Sequence, residues 1–244
     1  MLTSIRGLLA ASILAGSAFV AFPAFAQSGD ITISGNAAIV SEYRFRGQDL
    51  SGGDFAVQGG VDIGHSSGFY AGVWGSSLDE DTLGIGHTEL NIYGGWGGEL
   101  TDGLTADVGV LAYIYPNAGP GDFDIYELYG SLGFTFGPAA ATAGMAYAPK
   151  QDSLGGSDNL YLYVELGVGV PNTPVTITGH LGYTDGALTF TDDGDAWDWS
   201  IGADYALNRN LSLGIAYIGS EGDYLPGDYN FTDDALVGTL SFSF

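Results

Sequence analysis

The stretch LYLYVELGVGV, residues 160–170, decides how the chain is read. Leu160, Leu162, Val164, Leu166, Val168 and Val170 occupy one set of alternate positions. Tyr161, Tyr163, Glu165, Gly167 and Gly169 occupy the other. Side chains of a strand point alternately to its two faces, so an extended chain here carries one wholly apolar face and one face of tyrosine, glutamate and glycine. A helix, with its period of 3.6, would mix the two sets. The stretch is a strand with a greasy side and a wet side, and the fold depends on which side is enclosed.

The same split recurs along the chain, over 31–46, 55–63, 88–96, 104–114, 126–136, 175–183, 197–207, 211–217 and 237–244, while 69–77 carries aromatics on both sides (Phe69, Tyr70, Trp74) and 139–147 is small and Ala-rich. With 160–170 that makes twelve segments. Their connections alternate in length. HSSG (65–68), GGELTDG (97–103), GP (137–138), PNTP (171–174) and NRN (208–210) are mostly short. GQDLSGGD (47–54), SLDEDTLGIG (77–86), PNAGPGD (116–122), PKQDSLGGSD (149–158), TDGALTFTDDGDA (184–196) and GSEGDYLPGDYNFTDD (219–234) are longer and more acidic. An even number of amphipathic strands with short turns at one end and long loops at the other is the pattern of a transmembrane antiparallel up-and-down β-barrel.

Soluble sandwiches and barrels also alternate, but they turn the apolar face inward. Here the polar face is built from Gly, Ser, Thr and Tyr with single charges. Apolar-face aromatics collect at segment ends, with Trp96, Phe136 and Tyr205 at one rim and Tyr147, Tyr183 and Tyr217 at the other, as membrane girdles do. The pattern therefore predicts an inverted barrel, greasy outside and wet inside, over residues 27–244.

Residues 1–26, MLTSIRGLLAASILAGSAFVAFPAFA, carry Arg6, an apolar run and a small-x-small ending at Ala24-Phe25-Ala26. That is the layout of a secretory signal peptide, and it sends the chain out of the cytoplasm. Beyond it no run of roughly 18 apolar residues occurs that would span a membrane as a helix. The chain has no Cys, 41 Gly and 15 Tyr, and a formal net charge of −24, one unit more negative once Arg6 leaves with the leader. Such acidity disfavours nucleic acid and anionic lipid head groups as partners, and the lack of thiols excludes disulfides, haem attachment and thiolate metal sites. The closing VGTLSFSF, residues 237–244, runs as a strand to its last residue. Leu240, Phe242 and Phe244 on its apolar face look like the signal that outer-membrane barrels present to the barrel assembly machinery.

SEYRFRG (41–47) followed by AVQGGVDIGHSSGFYAGVWGSSLD (56–79) resembles the TorF family of porins. ELNIYGGW (89–96), YIYP (113–116) and YELYG (126–130) look like that family's succeeding strands. Phe55 stands where the family pattern has Pro, and Asn91 where an Asp is common. The resemblance covers the mature chain and implies an outer-membrane barrel.

The face assignment sends Glu42, Arg44, Arg46, Asp62, Glu89, Asp107, Glu127, Glu165, His180, Asp198 and Asp204 into the lumen. Arg44 and Arg46 fall near the outer end of the first strand, opposite Glu89, Glu127 and Asp198 near the outer ends of the fourth, sixth and tenth. Rings of charge set ion selectivity in pores, so the expectation is a narrow, mildly cation-preferring channel for small hydrophilic solutes or ions, in contact with outer-membrane lipid. One alternative is a closed lumen whose charges neutralise one another, in a barrel that serves a structural or partner-binding role. Another is a hydrolase at the rim around His87, close in sequence to Asp79, Glu80, Asp81 and Glu89. A general base needs a positioned partner and a nucleophile, so no catalytic residue is assigned. The acidic loops lack the D-x-D-x-D-G order of a calcium loop; no cofactor or metal site is expected, and the oligomeric state is open.

Overall fold

A computed structural model describes residues 30–189, 191–224 and 230–244; the expected signal peptide, residues 1–26, lies outside them. The strands are β1 (Ile31–Val40), β2 (Arg44–Phe45), β3 (Gln48–Asp49), β4 (Ala56–His65), β5 (Phe69–Ser77), β6 (Thr88–Thr101) and β7 (Leu104–Ile114). They continue with β8 (Ile125–Phe136), β9 (Ala139–Ala148), β10 (Asn159–Gly169), β11 (Val175–Gly186), β12 (Asp195–Ala206), β13 (Leu211–Glu221) and β14 (Ala235–Ser243). All but β2 and β3 form one closed antiparallel barrel of twelve strands in sequence order. It is sealed by β1 and β14 through pairs such as Ala37↔Phe242 and Ile39↔Leu240. Closure leaves no strand edge unpaired, which is the condition a sheet must meet to sit in hydrocarbon.

The enclosed face is the wet one. Ile63, Val108, Phe136, Val164, Ile201 and Leu236 stand exposed on the outside, while Asp62 and Glu89 are 1% exposed inside. Alternation alone accounts for this: neighbours such as Asp62 and Ile63 cannot share a face. At the loop end the outer tyrosines reach up to loop carboxylates, Tyr147 donating to Asp158 at 2.8 Å and Tyr217 to Asp234 at 2.8 Å. The Tyr147 bond holds the Asp158 carboxyl below its usual range. At the turn end Phe69, Phe136, Tyr205, Phe242 and Phe244 are exposed. No helix among the described residues is long and apolar enough to cross a membrane, which says nothing against strands doing so.

One departure from the expected strands shapes the rest. The first strand stops at Val40 rather than running to residue 46. The chain then folds into the mouth as a small hairpin, pairing Arg44 with Asp49 and Phe45 with Gln48. Arg46 and Gly47 make its tip, with φ of 49° and 80°, the two consecutive positive values that a tight two-residue hairpin turn demands. Tyr43 and Phe45, expected on the lipid side, are therefore inside. Tyr43 packs edge-on against Trp74 with centroids 5.8 Å apart, and Phe45 against Tyr113 at 5.6 Å.

Candidate functional site

The inward hairpin is held from three sides of the barrel. Arg46 reaches across to β8, where Nη2 donates to Glu127 Oε1 at 2.7 Å and to Oε2 at 3.0 Å. Tyr113 adds a third bond to that carboxylate at 3.2 Å. The Arg46 guanidinium also lies over the ring of Tyr161 on β10, 4.3 Å from its centroid. On a second side, Tyr43 donates to Glu89 of β6 at 3.0 Å, beside Asn91 at 2.8 Å and Tyr115 at 3.4 Å. On the third, a Cβ at Gly47 would come within 2.7 Å of Ser220 Cβ on β13 and 3.1 Å of Asp198 Cβ on β12. Gln48 donates to the Leu188 carbonyl at 2.9 Å. Asp49 locks the return of the chain, accepting from Ser51 N at 2.8 Å and Gly53 N at 2.6 Å.

Electrostatics follow from this burial. Arg46 and Glu127 side chains are 2% and 1% exposed. Burial alone pulls the guanidinium down, but Glu127, with Tyr113 and Tyr161, outweighs it and holds Arg46 above its ordinary value. Arg44 pairs with its neighbour Glu42 and donates to the Gly47 carbonyl at 2.9 Å. Burial still leaves Glu42 raised, Arg44 offsetting it only in part. Burial, then Glu89, drives the Tyr43 hydroxyl well up. The expected pattern of two cations on one wall facing carboxylates across a gap is therefore corrected. Arg44 and Arg46 sit on the hairpin, and Arg46 closes the gap by direct contact because the hairpin carries it most of the way over.

Burial within the lumen is graded along the barrel axis. Towards the loops, Gln58, Ser76, Glu89, Tyr113, Glu127, Asn159, Tyr161, Thr184, Asp198 and Ser220 are all buried. Towards the turns, Tyr70, Asp107, Ser131, Thr142, Glu165, Thr176, Asp204 and Ser212 on the same inward faces are half-buried. On most inward faces exposure is therefore greater at the turn end than at the loop end, where the hairpin packs, although Ser34 and Asp62 in the turn half are buried, at 7% and 1%.

Of the remaining lumenal carboxylates, Asp62, Asp107 and Asp198 accept from tyrosines. Tyr93 donates to Asp62, Tyr70 donates to Asp107 at 2.8 Å, and the Tyr70 and Tyr129 hydroxyls meet at 2.6 Å. His180 places Nε2 at 2.8 Å from Asp198 Oδ1 and 2.8 Å from the Tyr161 hydroxyl, with Nδ1 3.7 Å from Glu165. Asp204 faces inward lower on β12, where a Cβ at Gly214 would lie 2.8 Å from its Oδ1.

These tyrosines share a local rule. Each lies across a glycine of the adjoining strand, taking the space its Cβ would need: Tyr70 over Gly95, Tyr93 over Gly72, Tyr129 over Gly109, Tyr163 over Gly144 and Tyr161 over Gly182, with approaches of 2.3 to 2.6 Å. Four of these pairs are direct cross-strand partners. Glycine in a strand marks close approach of another group, and here that group is a ring lying along the wall. The rings of Tyr161, Tyr163 and His180 are near-parallel, 21° to 24° apart.

Tyr161 and Tyr163 stand on the wet face in the sequence pattern without a visible role, and Tyr43 and Gln48 carry no signal there of their place in the mouth. The legible signal was glycine facing tyrosine across consecutive segments. His87 is exposed, its ring 3.0 Å from Thr88 Oγ1. No group of three His, Asp or Glu side chains among the described residues is placed to hold a metal ion.

A sequence profile of the family described as "Bacterial protein of unknown function (Gcw_chp)" matches residues 24–244. No curated protein sequence matches. Among solved structures, a membrane protein studied by in-meso crystallization superposes with a TM-score of 0.53 at 11% identity, over 86% of this chain and 83% of that one. A porin gives 0.42 at 12%, over 88% and 100%. The outer-membrane protein OpdK of Pseudomonas aeruginosa gives 0.46 at 14%, over 78% and 57%. At these identities the likeness is one of fold, and the first of the three carries it.

Proposed function

We propose that this chain, a member of the bacterial Gcw_chp family, is an outer-membrane channel for small hydrophilic solutes or ions, cation-preferring, with its loop-end mouth held shut by the hairpin around Arg46. The lipid-compatible outer face, the leader-like residues 1–26 and the resemblance to TorF porins support an outer-membrane location. Short turns at the end bearing both strand termini support a periplasmic vestibule, since barrels of this class keep their turns on that side. Lipid surrounds the barrel, and the assembly machinery reads Leu240 and Phe242, exposed on the outer face of β14, with Phe244 just beyond the strand.

The observation that carries the channel reading is the graded lumen: wet and acidic from the turn end, closed at the other by a hairpin with its own charge latch. Eight lumenal carboxylates stand against Arg44, Arg46 and His180, and both arginines are engaged at the seal, so the open path is negative. The test is planar-bilayer recording under a tenfold KCl gradient. A reversal potential on the cation side supports the proposal. Anion preference refutes the selectivity, and silence from both wild type and a latch-broken variant refutes the channel. That last outcome would favour the second reading, which the sealed mouth itself supports: a closed barrel acting through its acidic loops.

A further inference from the structure

The lumen already contains one seated cation, and its seat shows what the wall recognises. Arg46 rests on the face of Tyr161 at 4.3 Å with its charge on Glu127. A cation over a tyrosine face is attracted by the ring's quadrupole, most strongly where water is excluded. The guanidinium fills the seat only in part: Nη2 makes its bonds to Glu127, while Nε and Nη1 have no hydrogen-bond partner among the described residues. The Arg46 backbone sits at a turn position with φ of 49°, a left-handed conformation that is unfavourable for a non-glycine residue.

The same chemistry repeats down the vestibule. Rings lie over glycines along the inward wall, and a carboxylate sits at the hydroxyl end of two of them, Asp62 with Tyr93 and Asp107 with Tyr70, whose hydroxyl also meets that of Tyr129. Asp62 is 1% exposed, yet its Oδ2 has no hydrogen-bond partner among the described residues. A buried carboxylate oxygen left without a donor is costly, and a donor-bearing cation would satisfy it. Sugars also stack on aromatic faces, and inward Gln58, Ser76 and Asn159 supply neutral polar groups; the excess of carboxylates over free donors favours a cation, and a sugar control separates the two.

We infer that the tyrosine-paved, acid-lined lumen is a binding track for small organic cations, ammonium or guanidinium compounds, whose uppermost seat on Tyr161 and Glu127 is filled by Arg46. The inference rests on the wet-lumen reading above and names its solute class. A permeating organic cation competes with Arg46 for the seat, so solute binding and release of the hairpin are coupled: each weakens the other's hold on the closed form.

The test is equilibrium binding by calorimetry to the refolded barrel in detergent micelles, with methylguanidinium and tetramethylammonium as probes. Methylurea serves as the uncharged isostere of methylguanidinium, and glucose as the sugar control. Arg46→Ala, which vacates the seat, is expected to bind methylguanidinium on the order of 10-fold tighter than wild type, the span of a desolvated cation–ring contact. Asp62→Asn with Asp107→Asn is expected to weaken both cations by a similar factor, and Tyr161→Phe, which keeps the ring face, to retain binding. Methylurea binding as well as methylguanidinium, glucose binding in preference to either cation, or an unchanged affinity in Arg46→Ala overturns the inference. Conductance in KCl, recorded on the same preparation, separates the two readings. Current without cation binding sinks the inference and leaves the channel; binding without current does the reverse.

Discussion

Replacing Glu127 with alanine removes the carboxylate that holds the hairpin across the lumen. Arg46 Nη2 donates to both carboxylate oxygens, at 2.7 and 3.0 Å, and the side chains are 2% and 1% exposed. Breaking such a buried pair by deleting one partner costs about 3 to 5 kcal/mol, because the other charge is left uncompensated. The docked hairpin bears that cost, since an undocked Arg46 regains water. The docked-to-undocked ratio should therefore fall by roughly two to three and a half decades. The bonds from Gln48 to Leu188 and Tyr43 to Glu89 still favour docking, so the hairpin opens intermittently rather than staying out. Single-channel recording is the assay, and open dwell should lengthen by at least about tenfold. The Arg46→Ala, Glu127→Ala double variant provides the sharper check. With neither charge buried unpaired, it should stay shut more than Glu127→Ala alone, a non-additivity that a direct contact requires. Wild-type behaviour in Glu127→Ala, or a double variant more open than either single, would refute the latch.

Other expectations follow from the same geometry. Gly109→Val places side-chain atoms where the Tyr129 hydroxyl lies 2.3 Å from the Cβ position. Overpacking of this kind costs about 1–3 kcal/mol, to be read as a lower urea midpoint for the refolded barrel, whereas Gly130→Ala, with its nearest atom at 3.5 Å, should be near neutral. Val164→Arg puts a charge on the outer face at mid-strand and should destabilise the barrel in lipid by about 2–4 kcal/mol. Ser131→Arg, on the inward face two strands away, should leave stability nearly unchanged and shift reversal potential towards anions. Phe244→Ala removes an exposed ring 6.1 Å from Phe242, and the heat-modifiable, membrane-extracted fraction in cells should fall while refolding in detergent persists.

Period-two alternation placed most of the twelve strands because they carry a full lipid-facing set that a one-residue slip would turn inward; 69–77, with aromatics on both faces, and the Ala-rich 139–147 were placed by the spacing of their neighbours. It failed at residues 41–46 for a physical reason. SEYRFR continues the alternation, and a hairpin entering the lumen also alternates, so periodicity cannot tell the wall from something folded inside it. The local clue was Arg46-Gly47, a two-residue turn with glycine second. The latch was illegible: Arg46 and Glu127 are 81 residues apart and meet because the hairpin crosses the barrel. The tyrosine–glycine pairs were half legible. Both members stood on the wet face, but only the cross-strand register, such as Gly109 opposite Tyr129, brings each ring onto its glycine.

The account depends on adjacent residues facing opposite media, and the cysteine-free chain allows that to be measured with single cysteines at Glu165→Cys and Leu166→Cys. These are neighbours on β10, one inward with its side chain 29% exposed, the other 49% exposed outside. In protein folded into liposomes, a charged water-soluble thiol reagent should label position 165 and spare 166, and a lipid-partitioning maleimide should do the opposite. Equal labelling of both by the charged reagent, or labelling of 166 in preference to 165, would contradict the inverted barrel and the channel built on it.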